Sequence, residues 1–179
     1  MQLIRCTAKL LREAGLKPAE SQHDDSLFSF LGQWHANLIY IDGRKSVLFV
    51  NDRTLFNFIL PDVTRAQIHD LPELFLSGLS CVISAEEFPE EVKKRIMSEY
   101  EQVALAKSSN KSVLGSANDL AFHYKYSILD AGGVHSWKVP EIIHRLNRMP
   151  LKAIKYAFPI EEIRNLYGIA ANAQSPSSW

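Results

Sequence analysis

Cysteine is scarce in this 179-residue chain, with only Cys6 and Cys81 present. Two thiols cannot build the disulfide framework of a small secreted scaffold, and no CxxC pair offers a zinc or redox motif. Both read as small core hydrophobes in a reducing cytosol. Charge of one sign is also lacking, because Lys plus Arg and Asp plus Glu number 20 each. A balanced surface argues against duplex nucleic acid as the main partner, since phosphate neutralisation needs a basic face. No apolar run approaches the roughly 18 residues that span a bilayer, and Met1 to Cys6 lacks the apolar stretch of a signal peptide. The expectation is a soluble cytoplasmic protein. HExxH, GxSxG and GxGxxG are missing as well, as are the glycines of a phosphate-cradling loop. Those gaps turn the reading away from the standard metalloproteases, α/β-hydrolases and dinucleotide enzymes, and no cofactor or metal is expected.

What is present is a chain that is 46% hydrophobic and 22% charged, the balance of a globular domain. At this length a single core buries about two thirds of the unfolded surface. The most informative stretch runs from Trp34 to Asp52 and reads as a β-hairpin turning at Asp42-Gly43. Leu38–Ile41 and Val47–Val50 are almost continuously apolar, as strands covered on both faces by helices are. A second turn at Asn51-Asp52-Arg53 leads into Thr54–Leu60 and completes an antiparallel meander. Around it, Leu3–Cys6 is a strand. Thr7 is an N-cap for a helix over Ala8–Ala14 that Gly15 ends. Lys17–Ser26 is an exposed loop. Thr64–Ile83 reads as two short helices interrupted by Pro72 and Gly78, and Glu90–Tyr100 as a charged helix behind Pro89. Val103–Ala106 is a further strand, and a long helix runs from Ser116 to about Asp130. Glu141–Arg148 is helical behind Pro140, Lys152–Ala157 is an edge strand, and Pro159–Tyr167 is a last helix. The expected fold is therefore α+β: one domain over residues 1–168 built on an antiparallel meander of about four to six strands packed with several helices, with 169–179 a disordered tail.

Polar groups gather at the far end of the hairpin. A two- or four-residue loop can set His35 opposite Asp52 and Asn37 opposite Val50, on one face with Ile39, Ile41, Leu48 and Val50. An imidazole beside a carboxylate has its tautomer fixed, as a general base or metal ligand requires. The same groups could simply satisfy main chain where strands splay, and a three-residue loop would part them. Asp119 and His123, four apart on a helix, could hold a metal or a water jointly. Ser116-x-x-Asp119 also has the spacing of a capping box, which alone accounts for both residues. Lys111 and the hydroxyl-rich loop from Ser108 to Ser116 sit where an anion could meet a helix start. Arg145 and Arg148, three apart, can fork onto one carboxylate or phosphate, or merely complement a helix dipole.

Five blocks carry a family resemblance: Cys6–Leu11, Trp34–Leu38, Arg44–Asp52, Ser112–Leu120 and Leu146–Pro150. In these the chain resembles an uncharacterised bacterial family described only as a domain of unknown function. That resemblance implies a bacterial cytoplasmic origin and a single domain, and brings no catalytic residue with it. From the residues, the leading expectation is a binding or interaction module. Trp34, Asn37, Asn51, Lys111, Ser116, Asn118, Arg145, Asn147 and Arg148 would line a cleft for a small anion, a peptide or a protein partner. The alternative is a hydrolase or nuclease using His35 and His123 with Asp52 or Asp119. A third is one half of a two-protein, toxin–antitoxin-like system.

Overall fold

A computed structural model describes residues 2–16, 30–108 and 110–170. The loop expected at 17–26 and the tail expected at 169–179 fall outside them, apart from residues 169 and 170.

Hairpin geometry follows from two adjacent residues. Asp42 and Gly43 both have positive φ, 50° and 72°, so they form a two-residue primed turn. They join β2 (Trp34–Ile41) to β3 (Arg44–Asn51) with Ile41 opposite Arg44 and Trp34 opposite Asn51. His35 therefore faces Val50, and Asn37 faces Leu48. This register lies two residues from the expected one, because Asp and Gly tolerate the left-handed region where Arg44 would be strained. An even shift leaves every side chain on its expected face. β4 (Asn57–Leu60) adds antiparallel to β3, completing the meander.

The sheet is mixed, in place of the wholly antiparallel one expected. β1 (Gln2–Cys6) pairs parallel with β2, and β5 (Val103–Lys107) pairs parallel with β1, giving the order β4-β3-β2-β1-β5. Parallel neighbours need long crossovers, and the chain has them between β1 and β2 and between β4 and β5. The expected edge strand at Lys152–Ala157 is instead a 3-10 turn over Lys152–Ile154 with one bridge from Leu151 to Ala157. Lys155 and Tyr156 both take positive φ there, which no extended strand allows.

Helices cover both faces. Against one lie α1 (Ala8–Ala14), α2 (Arg65–His69), α3 (Leu71–Ala85), α4 (Glu90–Glu99) and α7 (Pro159–Leu166), around Trp34, Phe49, Phe58 and Phe75. Against the other lie α5 (Lys111–Asp130) and α6 (Val139–Leu146), around Ile41, Leu48, Val50 and Ile59. Thr7 caps α1 and Gly15 ends it in the left-handed region, as expected. Pro72 opens α3, while Gly78 sits inside that helix without breaking it. An added Cβ there would lie 2.5 Å from Phe58 Cε2, so the glycine allows helix and strand to approach. Cys6 is buried in β1, whereas Cys81 is exposed, because α3 turns Leu79, Val82 and Ile83 inward and leaves position 81 outward. α5 begins five residues before Ser116. The Asn110 side chain accepts from the Ser112 and Val113 amides at 3.0 and 3.3 Å, so Asn110 is the cap and Ser116–Asp119 is not a capping box. No helix among the described residues is long and apolar enough to cross a membrane.

Candidate functional site

One row of residues crosses the sheet on the α5 face: Ala106, Arg5, His35, Val50 and Asn57. Its polar members meet different fates. His35 is only 2% exposed and lies between two oxygens. Its Nδ1 is 2.8 Å from Ser108 Oγ, just past the end of β5. Its Nε2 is 3.0 Å from Asp52 Oδ1, in the turn after β3. This second contact is close as an ion pair but off the direction of a hydrogen bond, and neither atom has another hydrogen-bond partner among the described residues. Sequence reasoning paired His35 with Asp52; Ser108 was only one of several loop hydroxyls, because its approach depends on β5 lying beside β1.

Asn51 and Asn147 are held largely by main chain. Asn51 donates to the Leu31 and Gln33 carbonyls and accepts from the Arg53 and Thr54 amides and the Thr54 hydroxyl. Asn147, wholly buried, donates to the Asn57 carbonyl at 2.7 Å and accepts from the Asn57 amide at 2.9 Å. It thereby stands in for a sixth strand along the outer edge of β4. The Tyr124 phenol donates to Asn57 Oδ1 at 2.7 Å. Burial, with the nearby Glu86 carboxylate, holds that phenol well above its ordinary pKa. Trp34 is core, donating its indole N–H to the Tyr100 hydroxyl at 2.9 Å. Asn37 accepts a long 3.4 Å bond from Thr7. Along α5, Lys111, Asn118, Asp119 and His123 are exposed and Ser116 half-buried. No group of three His, Cys, Asp or Glu that could hold a metal occurs among the described residues.

Arg145 and Arg148 do not share a ligand. Arg145 donates to Ser127 at 2.8 Å. Arg148 forks onto Glu86 instead, Nη1 to Oε1 at 3.1 Å and Nη2 to Oε2 at 2.7 Å. The Glu86 side chain is 2% exposed at the end of α3, and Arg164 from α7 donates to its carbonyl at 3.1 Å. His144, one turn before Arg148, places Nδ1 3.1 Å from Glu86 Oε1 and 2.9 Å from Arg148 Nη1. A protonated Nδ1 donates to the carboxylate and a bare one accepts from the guanidinium, so the ring serves one partner at a time. These groups bound a cleft of about 620 Å³ with Glu87, Glu161, Phe158, Ile160 and Asn165. Arg148 was legible as a ligand-binding candidate. Glu86, His144 and Arg164 were not, since α3, α6 and α7 converge only in three dimensions.

The sequence matches the family described as domain of unknown function DUF6933 over residues 3–162. The chain belongs to this family. No functionally curated protein matches it. Membership reaches through both the sheet-end row and most of the cleft.

Proposed function

We propose that the protein is a ligand-binding module and that the cleft between α3, α6 and α7 is its site. The observation that carries this reading is the buried Glu86 lining a cavity of about 620 Å³, a volume within the range that small-molecule sites occupy. Glu86 holds Arg148 and Arg164 in place, so the donors they leave unused meet a ligand without first losing rotamer freedom. Two guanidiniums suit a carboxylate. Glu87 and Glu161 suit an ammonium, and Phe158 with Ile160 suits an apolar side chain. The ligand class this lining favours is a small zwitterion, an amino acid or the end of a peptide.

The test is calorimetric titration of the full chain with a panel of amino acids and dipeptides, alongside Arg164→Gln. Charge-assisted bonds contribute about 1.5–3 kcal/mol, so this variant should weaken binding roughly 10- to 100-fold at unchanged fold. Absence of saturable binding across the panel, or equal affinity in the variant, overturns the reading.

A further inference from the structure

The parallel strands β1 and β5 lie side by side, and the chain leaves them for opposite faces. After β1 it enters α1, packed with the Trp34 core; after β5 it enters α5, packed with the Ile41 core. In sheets with parallel strands, such a divergence opens a crevice at the carboxyl ends of the strands, where ligands characteristically bind. Ser108 is the first residue past β5 at that place. Its amide donates to the Cys6 carbonyl at 2.9 Å, which fixes its backbone against β1. Ser108 is half-buried, while the imidazole 2.8 Å from its hydroxyl is buried.

We infer that Ser108 is a nucleophile for acyl transfer, with His35 as its general base and Asp52 as the positioning residue, acting on small esters. The tautomer required is the one the surroundings select. Asp52 beside Nε2 favours the proton on that nitrogen, leaving Nδ1 bare to accept from the Ser108 hydroxyl. In the first step Ser108 Oγ bonds to the ester carbonyl carbon, its proton passes to His35 Nδ1, and the carbonyl electron pair moves onto oxygen. The oxyanion then collapses, the bond to the leaving alkoxide breaks, and His35 returns the proton to that oxygen as alcohol. Water attacks the acyl-serine by the same route, its proton again crossing His35, and the carboxylic acid departs as the Ser108 hydroxyl is restored. Asp52 stabilises the imidazolium of each step without taking its proton. The amino end of α5, three residues on, offers its positive dipole end to the developing oxyanion. Ser108 thus stands between a strand and a helix without the GxSxG sequence that usually marks a nucleophile so placed.

The experiment treats the full chain with a fluorophosphonate probe and, separately, with p-nitrophenyl acetate, locating any adduct by peptide mass spectrometry. The expected result is an adduct on Ser108 and a burst of about one p-nitrophenol per chain, both abolished in Ser108→Ala. This small substitution at a half-buried position should leave the denaturation midpoint unchanged. Asp52→Asn should slow acylation at least about 100-fold at an unchanged denaturation midpoint. A merely structural Asp52 would lower the two together. No adduct at Ser108, an adduct only at surface lysines, or full ester turnover in Ser108→Ala overturns the inference. The amino-acid titration of the Glu86 cleft is a separate readout and stays unchanged in Ser108→Ala.

Discussion

Asn147→Ala tests how the outer edge of the sheet is closed. The amide makes three bonds: to the Asn57 carbonyl at 2.7 Å, from the Asn57 amide at 2.9 Å and to the Ile143 carbonyl at 3.0 Å. Asn147 and Asn57 are both fully buried, so water does not replace the lost partner. The Ile143 carbonyl keeps its bond from the Asn147 backbone amide. The Asn57 amide and carbonyl are left bare. An unsatisfied buried group costs about 1–3 kcal/mol, so two give roughly 2–6 kcal/mol, with about 3 kcal/mol as the working value after partial relaxation. For a domain of this size that lowers the melting temperature by about 6–12 °C. With an m-value near 2 kcal/mol/M it shifts the urea midpoint by about 1.5 M. Equilibrium urea unfolding followed by tryptophan fluorescence measures it. A shift below about 0.5 M at unchanged m would refute the reasoning, showing that the edge is not held by this amide. The same substitution should leave ligand affinity at the Glu86 cleft unchanged in the folded protein, because the amide is committed to main chain.

Further outcomes follow from other packed groups. Gly78→Ala should destabilise the fold by about 1–3 kcal/mol in spite of its gain in helix propensity, since the new methyl meets Phe58 at 2.5 Å and Leu60 at 3.0 Å; the chemical-denaturation midpoint reads this. Burial pushes the Cys6 thiol up to about 12 from its ordinary 9.0. A thiol reagent at pH 8 should therefore modify one cysteine, the exposed Cys81, in the native chain and two after unfolding. The raised value also gives a sign for stability: the Cys6 contribution is fully present below pH 9 and is lost as pH rises toward 12, where only the unfolded chain ionises readily. His123→Ala and Asp119→Asn, both exposed on α5, should change stability by less than about 0.5 kcal/mol.

Much of the chain could be read locally. Thr7 and Gly15 bound α1 because caps act within one turn. The Asp42-Gly43 turn was legible because few residue pairs accept two positive φ values in succession. The period of two along β2 and β3 assigned each side chain its face, which is why His35 and Asp52 meet even with the register two residues away. Local signals failed where two patterns competed. Ser116–Asp119 has the form of a cap, but Asn110 reaches the amides first; Gly78 has the form of a breaker, but Phe58 needs its missing Cβ.

Composition and periodicity by themselves pointed to an α+β chain with helices on both faces of a sheet and a meander within it, and allowed a histidine beside an aspartate at one strand end if the hairpin loop had an even number of residues. Tertiary structure alone decided that β5 lies against β1, which brings Ser108 to His35 across about 70 residues of chain, a spacing no local pattern encodes. It also decided that Glu86 collects Arg148, Arg164 and His144. The reason is common to both sites. Caps, turns and side-chain periods are settled by neighbours within a few residues, whereas the pairing of distant segments depends on which arrangement buries the most apolar surface with every polar group satisfied.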